Sequence, residues 1–126
     1  MPRTPIVTAS APAAIGPYSQ GVQSGKLIFT SGQLPGTSTG TLILDDISAA
    51  TRQSLSNVQA ILEEAGAGLD DVVKVTIFLR DMGDFAAVNE VYAGFFSDPA
   101  PARSCVQVAR LPKDVPIEIE AIAVRR

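Results

Sequence analysis

The periodicity of the apolar residues changes several times along this chain, and that pattern constrains the fold more than any other feature. Four segments alternate between two faces, which predicts β-strands. They are residues 26–31, 72–80, 102–109 and 117–124. Two others, residues 47–65 and 84–97, carry apolar side chains at three- and four-residue steps, which predicts α-helices. This order is typical of an α+β fold with both helices on one face of the sheet.

The predicted ends of these elements have local causes. Asp45 or Asp46 is placed to cap the first helix, and Gly66 can end it in a left-handed turn. Residues 98–101 read Asp-Pro-Ala-Pro, and prolines stop a helix because they lack the backbone donor. Residues 36–40 are clustered Gly, Thr and Ser, which predicts a loop.

Chain length and composition set the scale of the fold. The 126 residues suit one domain, which we place at residues 1–126. Hydrophobic residues make up 46% of the chain and charged residues 18%, so intrinsic disorder is excluded. This apolar content exceeds what a lone small domain needs, which indicates a subunit interface.

The residue types that are missing narrow the chemistry. The chain has no His, and Cys105 is its one cysteine. A Ser-His-Asp triad and a His-ligated zinc site are therefore excluded, and we expect no metal site. A single cysteine cannot form an intrachain disulfide, which fits a reducing compartment and favours the cytoplasm.

Charge and hydropathy argue against two classes of partner. The formal net charge is −3, which is not the basic balance expected of a nucleic-acid binder. Two long uncharged runs, residues 4–25 and 27–44, are interrupted by prolines and glycines that would leave backbone groups unpaired in lipid. No basic segment followed by an apolar block and a cleavage site begins the chain. We therefore expect neither a nucleic-acid nor a membrane partner.

Arg103 is the first candidate for a binding residue. It opens a predicted strand directly after a proline-stiffened loop, and its guanidinium can hold a carboxylate with two parallel hydrogen bonds. The alternative is a structural ion pair with Glu118 or Glu120 on a neighbouring strand, which spacing alone slightly favours.

Glu118 and Glu120 alternate with isoleucines and so project from one face, to which we also assign Arg103. Two close carboxylates repel each other, and burial would raise the pKa of at least one into the range useful for proton transfer. An equally good interpretation is a solvated edge strand.

Three other residues are weaker candidates. Tyr18 lies in a turn-rich stretch and could overhang a pocket, although packing is the commoner role. Ser31 ends a strand and could donate a hydrogen bond, although most such serines satisfy the backbone. Cys105 shares a face with Arg103, and we favour a small buried hydrophobe over a reactive thiolate.

The segments around these residues resemble the RidA family, also called the YjgF proteins. The match in residue types and spacing is strongest over residues 101–106, 109–111 and 117–119. Residues 13–18, 30–33 and 119–121 agree as well, so the resemblance covers nearly the whole chain.

The resemblance implies a chorismate-mutase-like fold, with a mixed six-stranded sheet and two helices on one face, assembled as a homotrimer with three clefts between subunits. It implies that Arg103 holds the substrate carboxylate, that Glu118 positions or activates water, and that further residues line the pocket. Those further residues are Tyr18, Ser31, Asn89 and Cys105, with Glu120 as a possible second carboxylate.

The implied reaction starts from enamines of the 2-aminoacrylate type, which tautomerise to 2-imino acids such as 2-iminopropanoate and 2-iminobutanoate and are hydrolysed to 2-keto acids and ammonia. It requires no cofactor. Two alternatives remain: a module that binds small carboxylates or keto acids without turnover, and an RNA-cleaving protein, as older family names suggest. The loop at residues 97–100 is shorter than in many close relatives and lacks an aromatic residue often found there. If this loop walls the cleft, we expect the substrate range and the trimer contacts to differ from those of such relatives.

Overall fold

The computed structural model describes residues 2–126 and contains six strands and two longer helices. The helices are α1 at Ile47–Glu64 and α2 at Phe85–Ala93. The strands are β1 at Thr4–Ile6, β2 at Gly21–Ser24, β3 at Leu27–Thr30, β4 at Val72–Leu79, β5 at Ala102–Gln107 and β6 at Ile117–Val124.

All six strands form one mixed sheet in the order β1-β2-β3-β6-β4-β5. Neighbouring strands run antiparallel except β4 and β5, which are parallel and are connected through α2. The predicted α+β architecture, with a mixed six-stranded sheet and two helices, is confirmed. Its topology places β5, which carries Arg103, at one edge of the sheet.

The first helix begins and ends where its sequence indicates. Asp46 accepts a hydrogen bond from the backbone N–H of Ala49 at 3.0 Å, so it is the N-cap. Gly66, just beyond the helix, adopts a φ of +80°, a conformation that glycine reaches without strain.

The structure departs from the sequence prediction in the second helix and in two strands. Helix α2 ends at Ala93 rather than at residue 97, because Gly94 weakens helix propagation and the following phenylalanines turn onto the core. Strand β5 stops at Gln107, two residues early. A register irregularity between Val72 and Lys74 exposes Val73, which we expected on the buried face.

Strands β1 and β2 lack a clear signal in their own residues. They span three and four residues, and Pro5 lies within the first of them. Strand β1 lies at a sheet edge, which is where a proline is tolerated. Only the family resemblance predicts that the sheet has six strands.

The hydrophobic core lies between one face of the sheet and the helices. Strand β6 contributes Ile117, Ile119, Ala121 and Ala123, each at most 3% exposed, which confirms the face assigned from their alternation. Helix α1 adds a buried stripe, as its three- and four-residue spacing predicts; its apolar members include Leu55, Val58, Ile61 and Leu62.

The opposite face of the sheet, here called the open face, has no helix over it. Leu27 and Phe29 are 43% and 38% exposed there, and Val106 and Val124 are exposed as well. Strand β3 carries apolar residues on both of its faces, a pattern that predicts that both are covered. Within residues 2–126 of one chain, the open face is not covered. Neither helix is long and apolar enough to cross a lipid bilayer, as far as residues 2–126 are concerned.

Candidate active site

Arg103 lies on the face of the sheet that carries the helices. Its backbone pairs with Val75 of β4, which is fully buried against the core. Because β5 is an edge strand, the long side chain reaches past the core to α2. There its guanidinium carbon lies 4.8 Å from the ring centre of Tyr92 and 5.5 Å from that of Phe85.

Asn89, also on α2, is the polar partner of Arg103. The Nη1 group of Arg103 donates a 2.6 Å hydrogen bond to the Asn89 side-chain carbonyl. Within residues 2–126, the guanidinium makes no ion pair and no second hydrogen bond. Nε and Nη2 therefore keep their full hydrogen-bonding capacity, which is what bidentate binding of a carboxylate requires.

A surface cavity of about 370 Å³ lies beside this guanidinium. The loop that follows α2 forms much of its wall. The cavity is lined by Asn89, Tyr92, Ala93, Phe96, Ser97, Asp98, Ala100 and Arg103.

Cys105 shares the face of Arg103, as expected. It pairs with Ile77 of β4 and packs partly against the core. Burial raises the pKa of its thiol, and the nearby Arg103 charge offsets this only in part. The side chain is therefore a protonated, small hydrophobic group.

Glu118 lies on the open face. It pairs with Phe78, while its neighbours Ile117 and Ile119 point into the core. Its carboxylate lies so close to Gly32, in the segment after β3, that a β-carbon at position 32 would overlap it. Burial raises the pKa of Glu118, and the charge of Glu120 on the same face raises it further.

Arg103 and Glu118 therefore lie on opposite faces of the sheet, and our assignment of both to one face is wrong. The register places Arg103 beside Val75 but Glu118 beside Phe78, and positions 75 and 78 have opposite parity along β4. The sheet face that carries the helices holds the Arg103 cation because the rings of Phe85 and Tyr92 and the side-chain amide of Asn89 surround it. The alternative of a structural ion pair between Arg103 and either glutamate is also wrong for residues 2–126.

Ser31 connects the surroundings of Glu118 to the segment that carries Tyr18. The Ser31 hydroxyl donates a 2.6 Å hydrogen bond to the backbone carbonyl of Ser19, the neighbour of Tyr18. Ser31 also precedes Gly32, against which the Glu118 carboxylate packs. Tyr18 itself is 52% exposed and lines a second cavity of about 270 Å³.

The structure thus divides the candidate residues into two groups. Arg103, Asn89 and Cys105 form one group, at the sheet edge next to α2. Ser31 and Glu118 form the other, toward the open face, with Glu120 nearby. Tyr18 lines the cavity of about 270 Å³, which neither of them borders. Within residues 2–126 of a single chain, no contact brings the Arg103 guanidinium and the Glu118 carboxylate together.

Two residues that support the candidate site residues were not identified from the sequence. Tyr92 falls on the apolar stripe of α2 and reads as a core residue, yet it is a close neighbour of the cation. Gln20 is buried and its side chain amide donates to the carbonyls of Thr8, Ala11 and Pro12, which holds the loop that carries Tyr18. A glutamine within a turn-rich stretch is the one sequence signal that could have indicated the role of Gln20.

Comparisons with known proteins give one consistent result. Residues 8–125 match the endoribonuclease L-PSP family. The chain is 57% identical to a 2-iminobutanoate/2-iminopropanoate deaminase of Salmonella typhimurium, over 96% of this chain and 97% of that protein. It is 56% identical to a RutC family protein of Pyrococcus horikoshii, over 94% of each chain.

Solved structures agree closely with this fold. The crystal structure of the Escherichia coli YjgF gene product superposes with a TM-score of 0.92 at 57% identity, covering 98% of this chain and 99% of that one. Escherichia coli TdcF, crystallised with bound serine, superposes with a TM-score of 0.93 at 53% identity over 98% and 99% of the two chains.

Proposed function

This chain belongs to the endoribonuclease L-PSP family, which includes the RidA and YjgF proteins, and from that premise we propose how its residues act. The chain is a hydrolase of C=N bonds that converts 2-iminobutanoate and 2-iminopropanoate to 2-keto acids and ammonia. The observation that supports its mechanism best is Arg103, which keeps one edge of its guanidinium free beside a cavity.

The reaction needs little from a protein beyond orientation and proton transfer. Water adds to the imine carbon, the π pair of the C=N bond moves to nitrogen, and a proton passes from the water to that nitrogen. The resulting carbinolamine then passes its hydroxyl proton to the amino nitrogen, its C–N bond breaks to release ammonia, and its hydroxyl oxygen becomes the keto oxygen. The imine carbon is already electrophilic, so placing the water and one proton carrier accounts for the rate.

Arg103 holds the substrate carboxylate through the free edge formed by Nε and Nη2. Asn89 occupies Nη1 and so fixes the plane of the guanidinium before the substrate arrives. A carboxylate bound at that edge is held by two parallel hydrogen bonds, which orient the adjacent imine carbon.

Glu118 takes the proton from the attacking water and returns it to the departing nitrogen. Its raised pKa, caused by burial and by Glu120, brings the carboxyl group closer to the neutral range in which it can do both. Gly32 leaves space for this carboxylate, because any larger residue would displace it.

Arg103 of one subunit and Glu118 of a neighbouring subunit face the same substrate. This arrangement is supported by their positions on opposite faces of one sheet, since a substrate of four carbons cannot reach both within a single chain. The proposed assembly is a cyclic homotrimer, in which each cleft takes one group of residues from each of two chains.

The open face supports this assembly independently. Four of its apolar side chains are exposed in the single chain, and monomers seldom leave such a surface in water. They are Leu27, Phe29, Val106 and Val124. Burial of this face against other subunits covers it and brings Glu118 to the edge of a neighbour.

The proposed location is the cytoplasm, which the lone Cys105 supports. The proposed partners are the small imino or enamino acid substrate and copies of the same chain. Binding of a small carboxylate without turnover is the competing function, and serine bound in a relative is consistent with it. RNA cleavage, which the family name suggests, is disfavoured by the net charge of −3.

The decisive experiment measures 2-keto acid release when a dehydratase generates the imine in the presence of this protein. Wild type is expected to accelerate release above the buffer rate in proportion to its concentration. Keto acid that binds without any acceleration would instead establish the carboxylate-binding function. RNA is expected to stay intact after incubation with the same preparation, and that result would exclude the third alternative, RNA cleavage.

A further inference from the structure

The surroundings of Arg103 on α2 contain more than the hydrogen bond to Asn89. The rings of Tyr92 and Phe85 lie 4.8 and 5.5 Å from the guanidinium carbon, both within the range of a cation–π interaction. Positions 85, 89 and 92 are separated by four and three residues, so they lie on one face of the helix. One face of α2 therefore supplies the three side chains described around the Arg103 guanidinium, namely Phe85, Asn89 and Tyr92.

Tyr92 is held firmly in this position. It is 7% exposed, and its ring packs against that of Phe96 with centres 4.7 Å apart. Its hydroxyl oxygen is buried and has no hydrogen-bond partner in the described part of the chain. The ring, rather than the hydroxyl, is therefore what this position supplies to Arg103.

A rigid ring matters because arginine has many rotamers. Ordering such a side chain on binding a ligand costs conformational entropy, and a protein that has already ordered it binds more tightly. The two rings also exclude water from one side of the guanidinium, which strengthens its interaction with an anion at the free edge.

We propose that Tyr92 and Phe85 are positioning residues for substrate binding, forming an aromatic cradle that orders the Arg103 guanidinium before the carboxylate arrives. The inference rests on the proposed function, because it assigns the carboxylate to Arg103. Tyr92 contributes more than Phe85, since its ring is closer to the cation and more deeply buried.

The test compares Tyr92→Leu with Tyr92→Phe. Removing the ring is expected to raise KM about tenfold while kcat stays within about twofold, because the lost interaction acts on binding. Tyr92→Phe keeps the ring and is expected to restore the wild-type KM. Phe85→Leu is expected to raise KM by about threefold. Phe95→Leu serves as the matched control, because the Phe95 ring is not found beside the guanidinium and its loss is expected to leave KM unchanged.

Two measurements separate positioning from a general packing defect. In the Arg103→Ala background, Tyr92→Leu is expected to change KM by less than about twofold, since the residue acts through Arg103. Calorimetric binding of pyruvate is expected to weaken in Tyr92→Leu, whereas binding of pyruvamide, which lacks the carboxylate charge, is expected to stay as in wild type.

Several outcomes would overturn the proposal. These are equal losses for pyruvate and pyruvamide, the same KM increase with or without Arg103, or a Tyr92→Phe variant that behaves like Tyr92→Leu. If Tyr92→Leu does not fold, Phe85→Leu decides the question by the same two measurements. A wild type that binds pyruvate but hydrolyses no imine contradicts the proposed function alone, and the binding constants then decide on the cradle.

Discussion

The two groups of site residues differ in how complete their surroundings are within one chain. We call Arg103 with Asn89, Tyr92 and Phe85 the Arg103 half, and Glu118 with the adjacent residues 31 and 32 the Glu118 half. In the Arg103 half, an amide and two rings of the same chain already fix the cation. In the Glu118 half, the carboxylate lies on a sheet face with no helix over it.

In the proposed mechanism, this difference assigns substrate binding to the Arg103 half and proton transfer to the Glu118 half. The Arg103 half is ordered by local contacts within the chain and is ready to bind a carboxylate. The Glu118 half borders the exposed apolar surface, and in the proposed trimer it needs another subunit to place the substrate beside it. The predictions that follow test that division, beginning with the change that removes the chemistry altogether.

Glu118→Gln removes the proton acceptor while keeping the size of the side chain. We expect kcat to fall about a hundredfold or more, with KM nearly unchanged, because positioned acid–base groups contribute about 10²- to 10⁴-fold. Steady-state assay of keto acid release measures this. Glu120→Gln, two residues along the same face, is the matched control, and an equal kcat in both variants would show that Glu118 has no distinct role.

Arg103→Ala removes the binding group of the other half. We expect kcat/KM to fall by about tenfold to more than a hundredfold, since a charged hydrogen bond contributes roughly 1.5–3 kcal/mol and about 1.36 kcal/mol is tenfold. Most of the loss is expected in KM. Arg103→Lys keeps the charge but not the two-pronged geometry, so full recovery of KM in that variant would contradict bidentate binding.

Mixing the two inactive variants tests whether the halves meet between chains. After joint unfolding and refolding of equal amounts of Arg103→Ala and Glu118→Gln, a random cyclic trimer contains intact clefts at about a quarter of its sites. Recovery of about a quarter of wild-type activity is therefore expected, with sedimentation to confirm the trimer. Activity that stays at the level of the separate variants would place both halves in one chain.

The acid limb of the pH–rate profile is expected to show the smallest effect. Glu118 must be ionised to accept a proton, and its pKa is raised, so activity falls as pH drops through a value above that of an ordinary glutamate. Glu120→Gln removes the like charge and is expected to shift this limb to lower pH. Because burial is the larger cause, the shift is partial, and a limb that moves upward would contradict the assignment.

Most of the architecture is predictable from the sequence because its longer elements carry strong periodicity. Strand β6 occupies the predicted range, and Asp46 caps α1 as its position indicates. Short strands are harder, because three or four residues interrupted by a proline form no recognisable alternation, as β1 illustrates. Such strands are fixed by pairing with neighbours rather than by their own residues.

The candidate site residues could be proposed from the sequence, but their relative placement could not. Alternation gives two faces for each strand separately, and only the pairing register relates the faces of β5 and β6 through β4. A cation on an apolar face also contradicts the simple expectation that charges avoid the core side. The aromatic residues that make this possible read as ordinary packing residues at helical spacing.

The placement of the two halves on opposite sides of one sheet has a genetic consequence. In the proposed trimer, each chain lends its arginine to one cleft and its glutamate to another. A chain that has lost both residues disables two of the three clefts in any trimer that it joins. Coexpression of such a doubly defective allele with the intact gene is therefore expected to act as a dominant negative, lowering activity below the level set by gene dosage.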